Sequence, residues 1–204
     1  MHFFHFLCIQ ERYLEPKISV IILAAGLSRR MRHDKLLLYY RGKTLLQRVV
    51  DLANDLPVFE KILVITSVRL ERLLLPPEIR TVVNNNPELG MSESLKLGVK
   101  AATGDAYLFM TADQPKLSSK AVFVIIDKAE NNSGKIIYPQ IDGKPCMPAL
   151  FPACFREELL KLTGDIGGRA VRTAHPEACL AFDAVNPEEY FDIDTEEDYQ
   201  SLSN

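Results

Sequence analysis

The segment Ile18–Lys35, which reads ISVIILAAGLSRRMRHDK, carries the strongest indication of the fold. Its first part, Ile18–Leu23, is an apolar run rich in β-branched residues, as is typical of a buried strand in a parallel sheet. The small residues Ala24, Ala25 and Gly26 follow directly, and they let backbone N–H groups approach a ligand closely. Because α/β proteins hold phosphate groups at turns of this kind, the segment predicts an anion-binding loop after the first strand.

Basic side chains follow the turn at Arg29, Arg30 and Lys35. Solvated surface charge is the ordinary interpretation of such a cluster, but the preceding strand and the three cations together favour phosphate binding. The loop differs from both common phosphate loops. It lacks a Gly-Lys-Ser/Thr ending, and it has one glycine where a dinucleotide-binding turn needs three, which disfavours a dinucleotide-dependent oxidoreductase.

Strand and helix patterns alternate along the rest of the chain. Apolar runs predict strands at residues 18–23, 61–66, 80–84, 106–111, 136–141 and 149–151. Helices are predicted at residues 44–53, 68–75, 91–102, 121–129, 154–162, 168–174 and 195–202, the first with Thr44 and Gln47 as a capping box. The stretches 91–102 and 121–129 also fit strands. The alternation predicts an α/β fold of three layers, Rossmann-like, with a mostly parallel sheet covered by helices on both faces.

Size and composition are those of an ordinary soluble protein. The 204 residues are 47% hydrophobic and 25% charged, which predicts one domain at 17–204 behind an N-terminal extension at 1–16. The net charge of −3 argues against a nucleic-acid partner, and no apolar run is long enough to cross a membrane. The four cysteines lack zinc-site spacing, so we interpret them as reduced thiols in the cytoplasm.

Acidic residues follow the strand at 106–111. Asp113, in the sequence Asp113-Gln114-Pro115, would lie at the same edge of the sheet as the 24–35 loop, where a carboxylate can hold Mg²⁺ against a triphosphate. Capping of a following turn is the alternative for Asp113. Alternation places Asp192 and Asp194 on one face of an extended segment, so Asp194 is a candidate second metal ligand, with helix capping as its alternative role.

Two further loops contain candidate binding residues. In the loop 84–95, Ser92 and Ser94 either cap a helix or stand where its N–H groups meet an anion. In the segment 164–169, a glycine-rich turn between two helices would account for the three glycines. It would not account for the presence of both Asp165 and Arg169, which makes these two residues candidates for binding.

These motifs together resemble the nucleotidyltransferases of the molybdenum-cofactor type, the MobA-like NTP transferases, and the resemblance extends over residues 18–202. The matching elements are small-Ala-Gly with Arg-Met and Lys (Ala24, Ala25, Gly26, Arg30, Met31, Lys35), Asp-x-Pro (Asp113, Pro115), Gly-Met-x-x-Ser-Leu (Gly90 to Leu95), Asp-x-Asp-Thr (Asp192 to Thr195) and Gly-Asp-x-Gly-x-Arg (Gly164 to Arg169). The chain departs from the family at Arg32, where glycine is usual, and at Met147, where histidine is usual.

The resemblance implies a nucleotide-diphospho-sugar transferase type of fold and a Mg²⁺-dependent transfer of a nucleotide to a phosphorylated acceptor. It implies Arg30, Lys35 and Asp113 as catalytic residues and Asp113 and Asp194 as metal ligands. The implied nucleotide-binding residues are Leu23, Ala24, Ala25, Gly26, Ser28, Arg29, Lys35, Asn85, Gly90, Ser92, Ser94 and Asp113. The implied acceptor-binding residues are Gly164, Asp165, Gly167 and Arg169.

Ala25 and the Gly164–Arg169 motif favour the cytidylyl branch, hence CTP and molybdenum cofactor (molybdopterin) as substrates and a molybdoenzyme as a possible partner. The alternatives within the class are a guanylyltransferase, a methylerythritol-phosphate cytidylyltransferase and a sugar-phosphate nucleotidyltransferase. A second class of function is a non-catalytic protein that binds or delivers the nucleotide or the cofactor. The departures from the family pattern at Arg32 and Met147 are the reason to consider it.

Overall fold

The central sheet holds eight strands, and a separate two-stranded hairpin lies beside it. The computed structural model describes residues 16–27, 31 and 33–202. The strands are β1 (Ile18–Ala24), β2 (Tyr39–Tyr40), β3 (Lys43–Thr44), β4 (Glu60–Ile65), β5 (Ile79–Val83), β6 (Ala106–Thr111), β7 (Ile136–Ile141), β8 (Lys144–Pro145), β9 (Ala149–Pro152) and β10 (Cys179–Asp183). The helices are α1 (Leu45–Asn54), α2 (Ser67–Leu70), α3 (Met91–Ala101), α4 (Ser119–Asn131), α5 (Arg156–Lys161), α6 (Arg169–Ala174) and α7 (Glu196–Ser201).

The strand β1 lies in the interior of the sheet, whose order is β10-β7-β9-β6-β1-β4-β5. It pairs in parallel with β4 on one side and β6 on the other. Alternate residues of β1 enter different apolar clusters: Val20 and Ile22 pack on one face and Ile21 on the other. Because both faces are covered, β1 is apolar along its length, and the predicted three-layer α/β fold is confirmed.

Different helices cover the two faces of the sheet. The apolar residues of α1 and α4 belong to one cluster, and those of α3, α5 and α6 to the other. Both stretches that also fitted strands are helical. In α4, Ser118 caps the first turn, and Val122, Ile125 and Ala129 are buried on one face. The helical spacing of its apolar residues therefore outweighs the strand preference of its β-branched residues.

Helix caps follow the sequence closely. Thr44 Oγ1 accepts from the backbone N–H of Gln47, but the Gln47 side chain bonds to Asp51 and Leu74, so only half of the first predicted capping box forms. At the start of α7, Thr195 and Asp198 form both halves of a capping box.

The structure contains strands that the sequence analysis did not predict. The edge strand β10 pairs in parallel with β7, and although Cys179 to Phe182 form a short apolar run, none of its residues is buried. The hairpin β2–β3 and the strand β8 are only two residues long per strand. The strand β9 runs antiparallel to both β6 and β7, so the sheet is mixed.

The carboxyl ends of β1, β4, β5 and β6 share one edge of the sheet because these strands are parallel. The loops that follow β1, β5 and β6 therefore meet there. The chain after β10 returns to this edge, where the backbone N–H of Ile193 donates to the backbone oxygen of Asp113 at 2.9 Å. Within the described residues, no helix combines the length and hydropathy that crossing a membrane requires. The predicted extension at 1–16 lies almost wholly outside the described residues.

Candidate active site

One lysine and two aspartates form a cluster at the carboxyl end of β6. The Lys35 ammonium donates to Asp113 Oδ2 at 2.8 Å and to Asp194 Oδ1 at 3.0 Å. It also donates to the backbone oxygen of Ile193 at 2.9 Å. Three segments that are far apart in sequence therefore meet at one ammonium group.

The charges of this cluster favour a cation. Burial lowers the pKa of Lys35, but the charges and hydrogen bonds of Asp113 and Asp194 outweigh burial and hold this pKa above its usual value. A third carboxyl group, that of Asp192, lies near the cluster. The residue as a whole is exposed, but its carboxyl group is partly buried. Burial of that group and the charges of Asp113 and Asp194 raise its pKa to about 7. Two carboxylates thus contact the ammonium of Lys35, and a third carboxyl group lies close enough to feel the charges of all three.

The side chains present fit a divalent cation. Asp113 Oδ1 is buried and has no hydrogen-bond partner within the described part of the chain. Carboxylate oxygens suit hard cations such as Mg²⁺. In residues 16–27, 31 and 33–202, no group of three or more His, Cys, Asp or Glu side chains is arranged to hold a metal by itself. A metal on Asp113 and Asp194 would therefore need substrate oxygens or water to complete its coordination.

The small-residue turn after β1 opens onto this cluster. Ala24 is fully buried, while Leu23, Ala25 and Gly26 line the cavity above Lys35. A Cβ atom on Gly26 would meet no atom of the described residues within 4 Å. The predicted residues Ser28, Arg29 and Arg30, as well as Arg32, lie outside the described residues.

Arg69 of α2 binds both ends of the loop that follows β1. Its guanidinium donates to the backbone oxygens of Ala24 and Gly26, both at 2.6 Å. It also makes a bidentate pair with the Asp34 carboxylate at 2.6 and 2.8 Å. Arg69 is 4% exposed, and its planar fork matches the two carboxylate oxygens. One buried side chain therefore sets the separation of the loop's two ends.

The loop before α3 packs tightly on the predicted acceptor motif. The backbone N–H groups of Met91 and Ser92 donate to Asp165 Oδ1 and to the backbone oxygen of Gly164, at 3.3 and 3.2 Å. A Cβ atom on Gly90 would lie 2.5 Å from the Gly164 carbonyl. The expectation that Ser92 or Ser94 caps this helix is wrong, because the helix begins at Met91, its N-cap is Gly90 and no side chain caps it. The anion at this helix start is Asp165 of the same chain.

Asn84 organises the loop that follows β5. Its amide nitrogen donates to Ser94 Oγ at 2.9 Å, and its amide oxygen accepts from the backbone N–H of Asn86 at 2.9 Å. Ser94 also lines the cavity, whereas Asn85 lines a neighbouring cavity of about 530 Å³. Ser94 therefore has both a structural partner and access to the site.

Packing explains the other glycines of the Gly164–Arg169 motif. A Cβ atom on Gly167 would lie 2.8 Å from the sulfur of Met91, and one on Gly168 would lie 2.6 Å from the Phe151 ring. Packing does not explain Arg169, which is exposed at the start of α6.

One cavity of about 380 Å³ joins most of the predicted site. Its lining includes these predicted residues: Leu23, Ala25, Gly26, Lys35, Gly90, Ser94, Asp113, Gly164, Asp165 and Asp194. The predicted residues Ala24, Asn85, Ser92, Gly167 and Arg169 do not line it. They lie in the core, in a neighbouring cavity or in the packing around the acceptor motif.

The sequence analysis missed three residues that build the site: Arg69, Asn84 and Gln114. The buried Gln114 amide donates to the backbone oxygens of Met147 and Tyr190, which ties the β6 end to two later segments. Its place within the Asp-x-Pro motif could have drawn attention to it. Arg69 offered no signal, since an arginine in a short helix is ordinarily solvated.

The sheet order, the phosphate-type loop after β1 and the acidic residue after β6 define an α/β protein of the nucleotide-diphospho-sugar transferase type. The chain belongs to the family described as the MobA-like NTP transferase domain, whose model matches residues 20–179. It is therefore a nucleotidyltransferase-family protein, as the sequence motifs predicted.

Individual relatives agree with this family. A protein of Natranaerobius thermophilus named as a probable molybdenum cofactor guanylyltransferase is 23% identical over 92% of this chain and 95% of its own length. A nucleotidyl transferase from Methanothermobacter has a TM-score of 0.79 at 25% identity, covering 91% of this chain and 95% of that one. Rv0371C of Mycobacterium tuberculosis, solved with manganese, has a TM-score of 0.72 at 24% identity, covering 91% and 97%.

Proposed function

We propose that this protein transfers CMP from CTP to the phosphate group of molybdenum cofactor, with Mg²⁺ as the metal and release of pyrophosphate. The observation that carries the proposal is the contact of Lys35 with Asp113 and Asp194 beside the small-residue loop. This arrangement combines an anion-binding backbone with a cation-binding carboxylate pair, which is what a metal–triphosphate complex needs.

The chemistry requires positioning and charge neutralisation more than proton transfer. The acceptor phosphate is ionised near neutral pH, so it attacks the α-phosphorus without a general base, and pyrophosphate leaves. The described residue His175, a possible general base, is bonded to Glu158 and Glu177 and is not among the residues that line the active-site cavity. Lys35 is placed to neutralise phosphate charge, and its position between two carboxylates keeps it protonated. Arg30, outside the described residues, stays a predicted second phosphate ligand.

Asp113 and Asp194 would hold the metal. Asp113 Oδ1, which has no hydrogen-bond partner among the residues that the structure describes, is the ligand atom that supports this assignment. A bound divalent ion supplies charge neutralisation and alignment of phosphate oxygens. The Rv0371C structure, which has this fold, was solved with manganese, and we propose Mg²⁺ as the divalent ion for this chain.

The choice of nucleotide depends on Ala25. Its methyl group lines the cavity and takes space that a glycine would leave open, which favours the smaller pyrimidine base. The name of the Natranaerobius relative favours GTP instead. We therefore expect CTP to be preferred and Ala25→Gly to increase the use of GTP relative to CTP.

The decisive experiment measures pyrophosphate release with Mg²⁺ and molybdenum cofactor, comparing CTP, GTP and ATP. We expect CTP-selective release that falls about 10²–10³-fold in Asp113→Ala. The matched control is Asp127→Ala, which removes an exposed aspartate of α4. GTP-selective release would replace the cytidylyl proposal by the guanylyl one, and nucleotide binding without release would favour a binding or delivery protein.

A further inference from the structure

The Lys35 ammonium lies where a cation held by both aspartates of the site would lie. It contacts Asp113 Oδ2 at 2.8 Å, Asp194 Oδ1 at 3.0 Å and the backbone oxygen of Ile193 at 2.9 Å. An ammonium has three N–H donors, so each donor of Lys35 has an oxygen acceptor within the protein. The side chain is 15% exposed, which shields these contacts from water. The chain therefore supplies a cation of its own to the carboxylate pair.

The same two carboxylates are the proposed ligands of the divalent ion. Repulsion between an ammonium and a divalent cation is strong at the short separation that a shared carboxylate pair imposes. An ion held by both Asp113 and Asp194 must therefore displace the Lys35 ammonium from between them. Two ion pairs, at 2.8 and 3.0 Å, oppose that displacement.

The backbone at Lys35 is fixed, so the displacement falls to its side chain. Lys35 is the first residue of a short 3-10 helix that is capped by Asp34, and Asp34 is itself paired with Arg69. The next residue, Leu36, is buried in the core. The Lys35 side chain has a flexible four-carbon stem, and it lines the same cavity as the turn at Gly26. A phosphate group in that cavity offers the ammonium other oxygen acceptors without a change in the backbone.

We propose that Lys35 is an internal counterion, which competes with the divalent ion for Asp113 and Asp194, and that a triphosphate relieves this competition by drawing the ammonium to its own oxygens. The inference rests on the proposed function, because it takes the metal and the triphosphate to bind in this cavity. It adds a dependence between the two ligands: the divalent ion binds weakly by itself and tightly together with the nucleotide.

Binding of Mn²⁺ in the absence of nucleotide and acceptor tests the competition, with the free ion measured by electron paramagnetic resonance. We expect Lys35→Met to bind Mn²⁺ about tenfold or more tightly than the wild type, because the fraction of molecules with an open site sets the apparent affinity. The matched control is Lys43→Met. It removes the same charge from another ammonium–carboxylate pair, with Asp51 at 2.6 Å, and should leave Mn²⁺ binding unchanged.

A double variant locates the bound ion. Lys35→Met combined with Asp113→Asn removes one of the two carboxylates, so it should lose the tighter binding. Lys35→Gln, which is neutral but polar, should show the same gain as Lys35→Met and provides the test if the methionine variant does not fold. Unchanged or weaker Mn²⁺ binding in a Lys35 variant that circular dichroism shows to be folded would overturn the proposal. A gain that survives in the double variant would do the same.

Thermal unfolding tests the role of the triphosphate. The wild-type Tm should rise more with Mn²⁺ and CTP together than the sum of the two separate rises, and Lys35→Met should show less of this excess. Additive rises in the wild type would remove that role.

The Mn²⁺ measurement is separate from the test of the proposed function. Absence of CTP turnover leaves its result intact, because it contains neither nucleotide nor acceptor. Conversely, CTP turnover by the wild type together with unchanged Mn²⁺ binding in Lys35→Met would retain the transferase and remove the counterion.

Discussion

Arg69 connects the two ends of the loop that follows β1, through four hydrogen bonds to Ala24, Gly26 and Asp34. We expect Arg69→Met to raise the KM for the nucleotide at least tenfold and to lower the free energy of unfolding by about 1–3 kcal/mol, since the half-buried Asp34 carboxylate and two loop carbonyls lose their donor. Steady-state kinetics and urea unfolding measure the two effects. The control Arg72→Met removes an exposed arginine near α2 and should leave both unchanged. Normal nucleotide affinity in folded Arg69→Met would contradict the role.

Asp192 makes stability depend on pH. Its pKa of about 7 in the folded protein lies above the value near 4 expected in an unfolded chain, so the folded state binds more protons between these values. The contribution of Asp192 to stability is present at acidic pH and is lost as the pH rises through about 7. Asp192→Asn, which stays neutral, should therefore lose less stability than the wild type between about pH 5 and pH 8.

Urea unfolding in EDTA measures this difference without competition from divalent cations. Asp127→Asn, on the exposed surface of α4, should follow the wild-type pH profile. Parallel profiles for wild type and Asp192→Asn would show that the Asp192 carboxyl does not titrate in this range.

At the scale of elements, the start of α3 and the turn before α6 depend on each other through Gly90. Its φ of 93° and its approach to Gly164 both exclude a side chain. Gly90→Ala should cost more stability than Gly134→Ala, which has a φ of 81° but open space around its Cβ position. The Gly134 variant should cost about 1–2 kcal/mol from backbone strain alone. Urea midpoints compare the two, and equal losses would mean that the turn before α6 moves aside freely.

At the scale of the whole molecule, the active site is a junction of distant segments. Lys35, Asp113 and Asp194 come from after β1, after β6 and before α7, and Ile193 beneath them is fully buried. A ligand held by all three segments should stabilise the entire fold. CTP with Mg²⁺, at about 100 times its Kd, should add about 2.7 kcal/mol and raise Tm by about 5–10 °C.

Differential scanning fluorimetry measures this shift. EDTA should remove most of it, because the triphosphate would then face Asp113 and Asp194 without a metal. Asp113→Ala should show the same reduced shift with Mg²⁺ present. An undiminished shift in EDTA would place the nucleotide away from the carboxylate pair.

Local sequence was sufficient wherever a residue acts through its immediate neighbours along the chain. The apolar run of β1 specified a strand buried on both faces, Thr195 with Asp198 specified the capping of α7, and the strand-then-acid order of β6 and Asp113 specified the edge of the sheet. The motifs likewise sufficed to predict the family. Periodicity and capping are short-range properties, so they can be interpreted without knowing the topology.

Only the tertiary structure decided which groups meet across long separations. It paired Lys35 with Asp194, placed Arg69 against both ends of the β1 loop, and set the antiparallel direction of β9. It also brought the Asp165 carboxylate to the start of α3 and the Arg172 guanidinium over the Tyr138 ring. Burial and electrostatic coupling depend on distances in the folded chain, and no spacing along the sequence encodes those distances.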